Sequence, residues 1–325
     1  MFTSSASRRK TASDIPAYRW LLLLLAIALV TSCDGAGDRV LDDAEKMPLL
    51  SKRIFVPDPN DTIIDLMPLR LAMRAYAKTI PEPLGLYFEY LPSGASIGIN
   101  DTTAFIEASL LKVPVAIKAY QLENEGLFSM EDTIRMEERD IDRNYGTLWQ
   151  RGVGTELTVR EVIRLMLQES DNTAAQMLGR KLGSVRPGFV NEVFDNLDIP
   201  KEVSTEGVLV SAKNYVSILR SLYLASSLPK ADAQDILMLL AETRFQDKLP
   251  FGIPQDVPVA HKVGVYDKEG FTTYSDCGIV YVPKRPYALC IFVHAPEEHA
   301  TRYIQDFSHM TYTFISQAKT VLYDE

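Results

Sequence analysis

Strand-forming sequence in this chain sits near its two ends, and what lies between is written mostly in helical periodicity. Leu84 to Tyr90 and Ala95 to Ile99 flank the turn Pro92-Ser93-Gly94 and predict a hairpin. Val259 to Val265, Cys277 to Val282 and Tyr287 to His294 are β-rich, the last two joined by Pro283-Lys284-Arg285-Pro286. Helices are expected over Ser109 to Leu122, Thr158 to Gly179, Ala212 to Ala225 and Lys230 to Glu242, with Thr158 and Glu161 as a capping box. Two more, over Ile63 to Thr79 and about Ala300 to Leu322, stand at the ends. The pattern predicts an α/β (α+β) domain: one antiparallel sheet built from N- and C-terminal strands, flanked by terminal helices, with an all-helical part inserted.

The N-terminus carries a different signal. Arg8, Arg9, Lys10 and Arg19 precede an apolar run from Trp20 to Val30, too short to span a bilayer, which stops at Val30-Thr31-Ser32-Cys33. Small residues directly before a cysteine resemble a bacterial lipoprotein cleavage box. That resemblance implies a signal peptide over residues 1–32 and lipid attachment at Cys33. An uncleaved anchor, or an ordinary signal with an incidental cysteine, are the alternatives. Residues 33–60 mix Gly, Asp, Lys and Pro and read as a linker, leaving 61–325 as one domain. The expected location is exported, on a membrane facing the periplasm or the cell exterior.

The formal charge is -9, and removing residues 1–32 takes away four basic residues and only Asp14, so the mature chain is more acidic still. An acidic body without basic runs excludes nucleic acid as a partner. After Cys33 only Cys277 and Cys290 remain. They read as strand residues set diagonally across a short hairpin, where bridge geometry is poor, so no bond between them is expected.

Three short motifs then stand in one order: Ser109-Leu110-Leu111-Lys112, Ser170-Asp171-Asn172 and Lys262-Val263-Gly264. Ser-x-x-Lys occurs four times and Lys-x-Gly three times, so neither is specific alone, whereas Ser-Asp-Asn occurs once. A serine hydroxyl is nearly inert until a neighbour takes its proton. Lys112, one helical turn after Ser109, can reach that oxygen, and burial together with a second cation, Lys262, would keep its amine neutral. Free N–H groups at a helix start would face the developing oxyanion. Ser170 can relay a proton to a leaving nitrogen, Asn172 can hold a substrate carbonyl and orient Lys112, and Asp171 reads as loop structure. Lys262 on a strand would meet a substrate carboxylate, with Gly264 letting a substrate backbone lie along the strand edge. Tyr145-Gly146 could line the cleft.

With these motifs the chain resembles the serine β-lactamase and penicillin-binding group, and within it the class A β-lactamase catalytic domain from about Ile63 onward. The likeness extends to Phe105-Ile106-Glu107-Ala108-Ser109, to Thr158-Val159-Arg160-Glu161 and to Gly278-Ile279-Val280-Tyr281. It implies Ser109 as nucleophile, Lys112 as part of the base system, Ser170 and Asn172 as cleft residues, Lys262 as substrate cation, and the N–H groups of Ser109 and Val265 as oxyanion hole. There are two departures. No Leu-Asn dipeptide exists, so the Glu-x-x-Leu-Asn loop whose glutamate activates the deacylating water is missing; the segment from Asn196 to Asn214 is too compact for it, and Glu206 is the nearest substitute. Val263 replaces the usual hydroxyl residue between the lysine and the glycine.

His261, His294, His299 and His309 read as solvated or structural rather than as a triad or zinc site, although His294 and His299 with Glu297 and Glu298 look superficially like a ligand cluster. No metal or organic cofactor is expected. Three functions stay open: a β-lactamase-like serine hydrolase opening β-lactam rings through Ser109, a penicillin-binding DD-peptidase-like enzyme on cell-wall stem peptides, and a non-catalytic envelope lipoprotein with this fold. The expected partners are a β-lactam or cell-wall peptide and, through Cys33, a membrane; the expected state is a monomer.

Overall fold

Pro68 sits in the first turn of α1 (Met67–Ala77), where its missing N–H costs least. The computed structural model describes residues 45–50, 64–200, 202–205, 207–268 and 270–318, and from Met47 onward the chain is one compact unit. After α1 come the predicted hairpin strands β1 (Leu84–Tyr90) and β2 (Ala95–Ile99), then β3 (Ala104–Ile106), a single 3-10 turn over Ala108–Leu111, and α2 (Lys112–Asn124). Strands β4 (Thr133–Arg135) and β5 (Glu156–Thr158) precede α3 (Val159–Gln168), α4 (Asn172–Val185) and α5 (Phe189–Asn196). Next are β6 (Glu202–Ser204), β7 (Gly207–Ser211), α6 (Ala212–Tyr223) and α7 (Lys230–Ala241). The chain returns to strand as β8 (Val259–Lys268), β9 (Phe271–Val280) and β10 (Tyr287–His294), and α8 (Glu297–Gln317) follows.

The sheet has the predicted origin. Its order is β2-β1-β10-β9-β8, all antiparallel, so strands from both ends of the domain meet at the β1–β10 pairing. Alternation along each strand buries both faces. Leu86, Phe88 and Tyr90 of β1 pack with Leu69 and Met73 of α1 and with Ile304 and Phe307 of α8, whereas Tyr87 faces the core shared with α2, α3, α6 and α7. At the centre of that core α2 is buried nearly all round, from Lys112 to Tyr120. An internal helix of this kind is expected to be apolar on every side. Its second buried amine, Lys118, is accommodated by an ion pair with Glu192 of α5.

Several expectations are corrected. The inserted part is not all helical: β3, β7 and β6 form a three-stranded sheet, and β4 with β5 a two-stranded one. Strands of three residues carry too little periodicity to be read from sequence. The helix expected over Thr158 to Gly179 is two helices, because Ser170 adopts φ +53° and Asp171 starts a new cap. The predicted capping box of the first, Thr158 with Glu161, is present. Cys277 and Cys290 are direct cross-strand partners, not diagonal ones, and form a buried disulfide on the helix-facing side of the sheet. The register Tyr287 opposite Val280 places them so. Within the segment read as linker, Leu49 and Leu50 are buried against the helical part, and the Leu49 N–H donates to Gln234 Oε1. The signal peptide, Cys33 and Glu206 lie outside the described residues. Among the described residues no helix is long and apolar enough to cross a membrane.

Candidate active site

Ser109 lies in the 3-10 turn that leads directly into α2, so its side chain and that of Lys112 project from one continuous helical segment. Lys112 Nζ is 3.1 Å from Ser109 Oγ. The same amine reaches Ser170 Oγ at 3.2 Å, Asn172 Oδ1 at 2.7 Å and the Ser170 carbonyl oxygen. From the other side Lys262 Nζ donates to Ser170 Oγ at 2.8 Å and to the Val263 carbonyl oxygen at 3.1 Å. The Ser170 hydroxyl therefore bridges two buried lysines, and a connected path runs Ser109, Lys112, Ser170, Lys262. All three sequence motifs meet here.

The backbone is bent to make this happen. Ala108, just before Ser109, and Ser170 both have positive φ (+49° and +53°) without being glycine. Each such residue costs about 1–3 kcal/mol and is held by its surroundings. Asp171 supplies much of that hold, which is the structural role its loop reading anticipated. Its Oδ1 accepts the Ala174 N–H as the cap of α4, and its Oδ2 accepts the N–H groups of Thr147 and Leu148 at 2.8 Å. Asn172 N–H donates to the Tyr145 carbonyl oxygen, fixing the exposed Tyr145 beside the second motif.

Burial sets the electrostatics. It lowers the Lys112 amine to about 8, with the charges of Asp171 and Asp142 pulling the other way. Burial first, and then Lys112 itself, hold Lys262 well below the usual lysine range, with Asp276 opposing. The expected coupling therefore shows on Lys262 rather than on Lys112. Both amines are thereby moved toward the neutral form that a proton acceptor requires.

Gly264 has a packing role beside the one expected. A Cβ there would lie 3.3 Å from both the Glu107 carbonyl oxygen and Leu110 Cγ, and 2.5 Å from Ser275 Oγ. Its absence lets β8 lie directly against the turn that carries Ser109. The strand is indeed the open edge of the sheet, and Val265 on it is 45% exposed.

Sequence reading missed three features. Glu107, two residues before Ser109, is 1% exposed with neither carboxyl oxygen hydrogen-bonded, and burial raises it to about 8. Tyr215 OH donates to the Leu110 carbonyl oxygen and supports the same turn. Phe245 lies 5.6 Å from Lys262 Nζ and 6.0 Å from the Tyr145 ring, with the exposed Arg244 guanidinium 5.4 Å away on that ring. His261, one of the histidines read as solvated or structural, is buried and hydrogen-bonded to Asp276. No local pattern marks these residues, since each acts across distant segments. His261 bonds to no serine, and among the described residues no cluster could hold a metal ion.

Comparison with known proteins agrees with this geometry. Beta-lactamase 3 of Bacillus cereus is 24% identical over 242 residues, covering 70% of this chain and 75% of that protein. The fold is similar to PBP-A (TM-score 0.69, 23% identity, 77% of this chain and 98% of that one), a mutant of which was solved as an acyl-enzyme complex with penicillin G. It is also similar to the TLA-3 extended-spectrum β-lactamase (TM-score 0.72, 18% identity, 78% and 100% covered). The model of the β-lactamase enzyme family matches residues 68–318, and the chain belongs to that family as a β-lactamase-like serine hydrolase.

Proposed function

We propose that this protein opens β-lactam rings by acyl transfer to Ser109 and that the resulting ester is released slowly. The observation that carries the reading is the single buried amine of Lys112 within hydrogen-bond reach of Ser109 Oγ, Ser170 Oγ and Asn172 Oδ1. Ser109 Oγ attacks the lactam carbonyl carbon as its proton passes to neutral Lys112. The tetrahedral oxyanion is held by the N–H groups of Ser109 and Val265. When the carbon–nitrogen bond breaks, the nitrogen takes a proton from Ser170 Oγ, which is resupplied by Lys112 with the proton it took from Ser109, leaving Lys112 neutral again. Water then cleaves the ester. Tyr145, Asn172, Lys262 and Gly264 line the substrate side, and Arg244 supplies a second cation where Val263 offers no hydroxyl to a substrate carboxylate.

Slow release is supported by the segment between α5 and α6. It is occupied by the tight hairpin β6–β7, with Ser204 opposite Gly207, rather than by a long loop. Among the described residues no carboxylate is hydrogen-bonded to Ser109 or Lys112. The same observation favours, as a second reading, a DD-peptidase-like enzyme acting on cell-wall stem peptides. We also read the N-terminus as a signal with lipid attachment at Cys33, which would place the site outside the cytoplasm where both substrates occur.

Penicillin G followed by intact-protein mass is the test. An adduct that maps to Ser109, is absent in Ser109→Ala and decays over minutes to hours supports slow β-lactam hydrolysis. A permanent adduct, with release of D-alanine from stem peptides, supports the second reading. An unmodified mass with the penicillin hydrolysed keeps the β-lactamase reading and removes slow release; an unmodified mass with the penicillin intact contradicts both and leaves a non-catalytic envelope role or an unrelated substrate.

A further inference from the structure

His261 precedes Lys262 on β8, and successive strand residues point to opposite faces. Lys262 shares its face with Ala260 in the core under the helices, while His261 shares that of Val259, under α1 and α8. His261 and Asp276 are both completely buried there. The imidazole Nδ1 is 2.7 Å from Asp276 Oδ1, and Nε2 is 2.9 Å from the carbonyl oxygen of Phe245.

A carbonyl oxygen only accepts, so Nε2 carries a hydrogen. The contact between Nδ1 and Asp276 then needs a second hydrogen, whichever of the two atoms holds it. The pair therefore keeps two protons over three positions, and both contacts of the ring are made. Asp276 Oδ2 accepts the Leu249 N–H at 2.9 Å. One buried unit thus fastens the connection between α7 and β8 at two points, Phe245 and Leu249.

Phe245 is where this reaches the cleft. Its ring stands between Lys262 Nζ at 5.6 Å and the Tyr145 ring at 6.0 Å, and it carries Arg244 on its other contact at 5.4 Å. The geometry points to His261 as a positioning residue: its Nε2–H, by holding the Phe245 carbonyl, sets where the Phe245 ring and the Arg244 guanidinium stand beside Lys262, and so sets substrate affinity rather than the rate of bond making. This rests on the acyl-transfer reading above.

His261→Asn keeps an N–H toward Asp276 but is too short to reach Phe245, whereas His261→Gln carries an N–H near the place of Nε2. With penicillin G as probe, His261→Asn raises the concentration for half-maximal acylation of Ser109 about tenfold, the scale of one lost hydrogen bond. The saturating acylation rate stays within about threefold, and His261→Gln recovers most of the affinity. In a Phe245→Ala background His261→Asn adds nothing further. An equal effect in that background, or a loss confined to the saturating rate, overturns the proposal. A readout independent of substrate is nuclear magnetic resonance of the wild-type protein. A slowly exchanging, hydrogen-bonded Nε2–H signal from His261 is expected, and its absence overturns the proposal even if the variants fail to fold. That signal without any acylation by penicillin G would instead locate the failure in the acyl-transfer reading.

Discussion

Glu107 illustrates how one residue's environment becomes a measurable cost. Its carboxyl is raised from the ordinary 4.5 to about 8 by burial. Below the ordinary value both folded and unfolded chains hold the proton, and nothing is lost. As pH rises from there toward 8, the unfolded chain ionises while the folded one does not, so stability falls. Glu107→Gln removes this loss. Urea unfolding is expected to show the variant close to wild type near pH 4.5 and more stable by on the order of 4 kcal/mol at pH 8. A constant difference across that range would contradict the burial account. Removing the amine of Lys112 is a second residue-scale test: Lys112→Ala should slow Ser109 acylation at neutral pH by roughly 100- to 10,000-fold, the usual worth of a positioned base. That Ser109, both lysines, Ser170 and Asn172 would come together was legible in the sequence, because the three motifs stand in a recognisable order. Glu107, Phe245 and Asp276 were not, because their importance comes from segments that only folding brings near.

At the scale of elements, two joints hold the site together. Asp171 satisfies three backbone N–H groups, one starting α4 and two in the loop after Tyr145. Asp171→Ala leaves them without that partner and is expected to cost about 2–4 kcal/mol, read as a lower urea midpoint, with slower acylation as Ser170 and Asn172 lose their placing. An unchanged midpoint would remove Asp171 from this role. Gly264 is the other joint, since a side chain would press on the turn bearing Ser109. Long periodic helices and most of the sheet strands were readable to within a few residues, but β9 begins at Phe271 rather than at the expected Cys277. The break at Ser170 was not, because a positive φ at a non-glycine residue is imposed by tertiary contacts and leaves no trace in propensity. The short strands β3 to β7 escaped for a similar reason, being stabilised by pairing across the chain rather than by local pattern.

From Met47 onward the fold is built on a two-faced sheet, and the Ser109 site lies where its edge strand β8 meets the helical part. Antiparallel closure of the two chain ends was foreseeable from the order of β-rich and helical stretches, but the register that joins Cys277 to Cys290 was not. That disulfide closes a short stretch, with a sequence separation of 13. Replacing both cysteines by serine is expected to lower stability by about 3 kcal/mol through the unfolded chain's regained freedom; a loss below about 0.5 kcal/mol would contradict this. The central claim is that folding delivers a buried, neutralisable amine to the oxygen of Ser109. It is tested most directly by the rate of Ser109 acylation by penicillin G measured from about pH 6 to about pH 10, in wild type and Lys112→Ala. A wild-type rate that climbs through about pH 8 to a plateau, with a slow rate lacking that rise in the variant, is the predicted result. Matching rates and profiles in the two proteins would contradict it.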